Sequence, residues 1–109
     1  MFIDHRTYNI KPGKLNDFLR IYGEEGFPLQ RKYLGHCVGW YFSNDIGPLN
    51  QVVHLWAYKD LNDRTERRAR LLADPAWGRY VSKTVDFIVN QENKILRPTE
   101  FFTVPEVKG

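Results

Sequence analysis

Residues 50–58, NQVVHLWAY, constrain this chain more than any other segment, because water suits neither side of them when they are extended. A strand turns alternate side chains to opposite faces. Val53, Leu55 and Ala57 then share one face, and Val52, His54, Trp56 and Tyr58 share the other. An apolar run of this length bounded by turn formers predicts a strand covered on both sides. The second face sets a histidine among aromatic rings, so function is sought there.

The neighbouring segments supply what a covered strand needs. Phe2 to Ile10 alternates as a first strand and ends at Lys11-Pro12-Gly13. Leu15, Phe18, Leu19 and Tyr22 recur at helical spacing, and Gly23, Gly26 and Pro28 then interrupt the pattern. Residues 34–42 predict a second strand, joined to the third by the turn-forming run Ser43 to Pro48. Asp60 is placed to cap a helix whose inner stripe is Leu61, Thr65, Ala69 and Leu72, with Arg64, Arg67, Arg68 and Arg70 in solvent. Asp74-Pro75 starts another helix, carrying Trp77, Tyr80, Val81, Thr84 and Val85. Residues 93–102 predict the last strand, with Pro98 confining it to an edge or marking a bend, and the tail after Val104 is expected to be loose.

The sum is an α+β chain of order βαββαβ, a ferredoxin-like single domain over residues 1–109. Helices cover one sheet face in that topology. The other face is expected to carry Asp4, Arg6, Tyr8, His36, Val38, Trp40, Phe42, Val52, His54, Trp56 and Tyr58, too apolar to stay exposed on a monomer. A second copy of the same sheet covers it most simply, giving a homodimer.

Composition excludes several classes. No stretch is apolar enough to span a bilayer, and Met1 runs straight into the first strand, so a cytoplasmic protein is expected. The net charge of +3 is modest. A bare sheet with aromatic residues also describes an RNA recognition motif, but residues 50–58 lack the basic residue and glycines that motif places beside its rings, so no nucleic-acid partner is expected. His5, His36 and His54 show no metal-ligand spacing, and Cys37 has no second cysteine to pair with.

Arg6-Thr7-Tyr8 with Lys11-Pro12-Gly13-Lys14-Leu15, Leu34-Gly35 with Val38-Gly39, the segment from Gly47 to Tyr58, Arg64, Arg68, Asp74-Pro75-Ala76-Trp77 and Ile95-Leu96-Arg97-Pro98-Thr99 together resemble the NIPSNAP family. The resemblance spans nearly the whole chain. It implies a ferredoxin-like dimer whose two sheets form an α+β barrel, akin to small monooxygenases that work in an enclosed cavity without a cofactor. It implies no settled activity.

The candidate site combines these residues. His54 is a candidate general base, or else a histidine hydrogen-bonded in a core. Arg6, with Asp4 two residues away on its face, can hold an anionic ligand or serve as a structural ion pair. Tyr8, Trp40, Trp56 and Tyr58 supply apolar walls, either as packing or as a platform for a flat molecule. The expected ligand is a small organic molecule with an acidic or enolisable oxygen, bound without metal or cofactor. The alternative is a non-enzymatic interaction module that acts through its arginine-bearing helix.

Overall fold

The computed structural model describes residues 1–105. Four antiparallel strands, β1 (Phe2–Ile10), β2 (His36–Ser43), β3 (Gln51–Tyr58) and β4 (Ile88–Leu96), form one sheet in the order β2-β3-β1-β4. Helical segments fill both crossovers. The first is α1 (Leu15–Ile21), a widened turn over Tyr22–Gly26, and α2 (Phe27–Tyr33); the second is α3 (Leu61–Ala73) and α4 (Pro75–Thr84). This is the ferredoxin-like α+β arrangement, with the two central strands buried between the two edges.

Gly23, Gly26 and Pro28 do not stop the first helix. The Phe27 N–H donates to the Tyr22 carbonyl five residues back, so the chain loosens by one residue and continues into an α-helix with Pro28 in its first turn. Gly26 is required for packing. A Cβ there would stand 2.6 Å from the Tyr80 ring, so this turn and α4 meet backbone against ring.

Two clusters lie between helices and sheet. One is built on Tyr8, Ile10, Phe18, Tyr22, Val52 and Tyr80, the other on Phe2, Leu34, Trp56, Tyr58 and Leu71. The two sheet faces are therefore reversed from expectation. Asp4, Tyr8, Val52, His54, Trp56 and Tyr58 are all buried beneath the helices. The uncovered face carries Ile3, Leu55 and Ala57, part of it packed under Val104. Both faces of β3 are apolar, and the face with the larger rings is the one the helices cover.

The second strand departs from simple alternation. Its register slips between Cys37 and Gly39, so that Cys37 pairs with Trp56 while Trp40 pairs with His54. Such a bulge flips every later side chain relative to the earlier ones. Cys37, Trp40 and Phe42 thus fall on the helix side, and His36 leaves the row expected for it. Helix α3 is also turned. Leu61 and Leu72 are 62% and 63% exposed, and the inward face is Arg64, Arg68 and Leu71. The last strand is Ile88–Leu96, earlier than expected and ending before Pro98. The expected loose tail after Val104 falls mainly on residues 106–109, outside those described; Val104 itself is buried.

Candidate functional site

Strand pairing lines up one row of side chains across the helix-covered face. Trp40 of β2 stands opposite His54 of β3, His54 opposite Arg6 of β1, and Arg6 opposite Asn93 of β4. Asp4 and Tyr8 flank Arg6 by the period of two. The Arg6 guanidinium donates to the Asp4 carboxylate at 3.3 Å through Nη1 and to the Tyr8 hydroxyl at 3.0 Å through Nε.

Asp4 is the charged centre of the arrangement. Its Oδ2 also accepts from Arg64 Nε of α3 at 3.0 Å, and its Oδ1 accepts from Asn93 Nδ2 at 3.0 Å. Burial alone would raise the Asp4 carboxyl pKa, but the Asn93 amide and the Arg6 and Arg64 guanidinium groups outweigh burial and hold it below the usual range. Asp4 is therefore an anion at neutral pH, fixed from three elements.

His54 is fully buried. Its ring stacks on Trp40 at 5.0 Å and meets Tyr8 edge-on at 4.9 Å. The Trp56 indole Nε1–H donates to His54 Nδ1 at 2.8 Å, which places the ring proton on Nε2. Burial, then the neighbouring Arg6 charge, pushes the imidazole pKa down to about 3. With its basic nitrogen capped by an indole, this histidine stays neutral. A second buried chain runs from Trp40 Nε1 to the Tyr22 hydroxyl at 2.8 Å and from that hydroxyl to Gln30 Oε1.

A cavity of about 260 Å³ opens between α4 and β1. Arg6, Tyr8 and Tyr22 contribute polar groups, Trp77 and Val85 apolar ones, and Arg68 reaches it from α3. Of the residues singled out by sequence, Arg6 and Tyr8 line this cavity, Asp4 stands behind Arg6, and His54, Trp40, Trp56 and Tyr58 lie outside its lining. The space lies between the helix and sheet layers of the chain itself, not over the uncovered face. Reasoning from sequence missed Arg68, because an arginine in a run of arginines looks solvated. The signal was the spacing of Arg64, Arg68 and Leu71, which puts them on one helical face, together with an Asp4 buried on β1 and in need of cations.

Comparison with known proteins adds the family. The NIPSNAP family matches residues 3–103. The chain belongs to the NIPSNAP family. A NipSnap homolog of Dictyostelium discoideum is 40% identical over 95 residues, 87% of this chain and 41% of that relative, so the chain spans about two fifths of its length. A NIPSNAP family crystal structure from Agrobacterium tumefaciens, of unknown function, is 45% identical with a TM-score of 0.91 over 96% of this chain and 94% of that one. A putative antibiotic biosynthesis monooxygenase from Nitrosomonas europaea has the same fold, with a TM-score of 0.65 at 15% identity over 90% of this chain and 98% of that one. In this NIPSNAP family member, no helix among the described residues is long and apolar enough to cross a membrane.

Proposed function

We propose that the chain acts as a homodimer paired through its uncovered sheet face, each protomer binding a small organic molecule in the cavity between α4 and β1. The cavity carries the reading: it combines a few convergent polar groups with apolar walls, as small-molecule sites do. At about 260 Å³ it lies just below the ~300–1,000 Å³ common for drug-sized ligands, so its occupant is compact. Arg6 and Tyr8 touch the ligand, Asp4 fixes Arg6, and His54, Trp40, Trp56 and Tyr58 form the rigid wall behind them. Pairing is supported by Tyr41, Val53 and Leu55, side chains on or beside the uncovered face that helices do not bury.

Oxygenation of an electron-rich substrate without a bound cofactor extends this reading to a reaction. That extension rests on fold likeness alone and assigns no residue a chemical step. The alternative, an interaction module, is favoured by the exposed stripe Leu61, Thr65, Ala69 and Leu72 on α3. A small-fragment screen by ligand-detected NMR separates the two, using the wild type and Val85→Trp, which fills the cavity from an exposed position. Binding that disappears in a folded Val85→Trp supports a ligand site. Equal binding to both proteins, or none to either, favours the interaction module.

A further inference from the structure

The cation count at the cavity exceeds what its hydrogen bonds explain. Two guanidinium groups, Arg6 and Arg64, pair with the single carboxylate Asp4, and a third, Arg68, lies close enough to both to feel their charge. Arg6 directs Nε to Tyr8 and Nη1 to Asp4, and Arg64 directs Nε to Asp4. Asp4 spends both oxygens on other donors, Oδ2 accepting from Arg6 and Arg64 and Oδ1 from Asn93. Arg68 is the member left over. Among the described residues it has no ion-pair or hydrogen-bond partner, and its side chain borders the cavity.

A half-buried guanidinium beside two like charges is unfavourable. Arginine does not escape by giving up its proton. Burial, followed by the Arg6 and Arg64 charges, works against the charged form of Arg68 and pushes its pKa down. Hydrophobic residues of similar size are usually at least as stable in such positions, so a cation left there is of use only when an anion arrives.

We propose that Arg68 is the recognition group of this cavity, and that the ligand carries an oxyanion head, a carboxylate or a phosphate, on a small apolar body. The head takes the planar fork of Arg68 bidentately, with the remaining Arg6 N–H groups and the Tyr8 hydroxyl within the same cavity. The body lies along Trp77, Val81 and Val85. Asp4 is a positioning residue: it keeps Arg6 and Arg64 turned toward β1 and leaves Arg68 open to the cavity. The inference rests on the cavity being a ligand site, and it adds the sign of the ligand's charge and the residue that reads it.

The test uses the intact chain and four probes of similar shape: benzoate, phenyl phosphate, benzamide and benzamidine. Binding is followed by protein-detected NMR at Thr84, Val85, Ile88 and Gln91 in wild type, Arg68→Met and Arg68→Lys. Benzoate or phenyl phosphate should bind at these residues and the neutral and cationic probes should not; whichever anion binds more tightly separates carboxylate from phosphate. Arg68→Met should lose about tenfold or more in affinity, as expected for losing a hydrogen-bonded charge pair, and Arg68→Lys should recover only part of it. Without ligand, Arg68→Met should melt no lower than wild type, whereas a merely structural arginine would lower the melting temperature. If benzamide or benzamidine binds as tightly as the anions, or Arg68→Met binds benzoate unchanged, the anion inference is overturned and the cavity stands. If no probe perturbs these residues, the ligand site itself falls.

Discussion

Replacing Asp4 by asparagine tests the charged centre with almost no change of shape. The wild-type carboxylate has no solvent exposure and accepts three hydrogen bonds, at 3.3 Å from Arg6, 3.0 Å from Arg64 and 3.0 Å from Asn93. The substituted amide would present its own N–H₂ to one or two of those donors and would remove the negative charge that the two guanidinium groups share. Breaking a buried ion pair by removing one partner costs ~3–5 kcal/mol, because the other charge stays behind uncompensated. The Arg6 and Arg64 side chains keep 13% and 24% exposure and can turn partly to water, which points to the lower end, about 3 kcal/mol. For a domain near 100 residues each kcal/mol shifts the melting temperature by ~4–8 °C, so Asp4→Asn should melt roughly 12 °C or more below wild type at pH 7. Calorimetry or urea unfolding measures this. The sign with pH is also fixed. The folded-state pKa of Asp4 is lowered, so its contribution is present above the unfolded value near 4 and is lost as pH falls through the folded value. The gap between wild type and Asp4→Asn should therefore close in acid. A difference under about 1 kcal/mol at pH 7, the range of exposed pairs, would refute the buried-centre reasoning.

Other outcomes follow from the same packing. His54, with a folded pKa of about 3 against 6.5 unfolded, should remain neutral by imidazole NMR at pH 5, and stability should fall by up to ~1.4 kcal/mol per unit as pH drops below 6.5; titration near 6.5 would contradict its burial. Gly26→Ala would push a methyl to 2.6 Å from the Tyr80 ring, so it should cost ~1–3 kcal/mol by overpacking, measured by urea unfolding. Trp77→Ala removes a ring that meets Tyr80 in a tilted contact at 5.0 Å and should cost about 3 kcal/mol, the low end for large-to-small core changes because Trp77 is only half-buried. Wild type should sediment as a dimer and Leu55→Lys, on the uncovered face, as a folded monomer; equal mass for the two would place any pairing surface elsewhere.

The order of elements was legible in the sequence because each rests on local signals. Phe2–Ile10 alternates, and Asp60 and Asp74 accept from the backbone N–H groups of Asp63 and Ala76 as capping residues. What failed was the choice between alternatives with equal local support. The period of two assigns Val52, His54 and Trp56 to one face of β3, but both faces are apolar, and only the volume beneath the helices selects one. The bulge between Cys37 and Gly39 leaves no mark except a glycine. The last strand hid because an edge strand is polar: residues 90–94, Asn-Gln-Glu-Asn-Lys, deter pairing with another sheet and show no apolar alternation. Arg68 was missed for a related reason, since a cation facing a cavity and one facing solvent have the same sequence.

The central claim is that the working site lies between α4 and β1, and a crystallographic screen with small aromatic carboxylates and phosphates tests it most directly. Density for a bound fragment between the Arg68 guanidinium and Trp77, with the oxyanion toward Arg68 and Arg6, is the predicted result. Fragments that gather instead on the uncovered face beside Val53 and Leu55, with the α4 cavity holding only water, would contradict it.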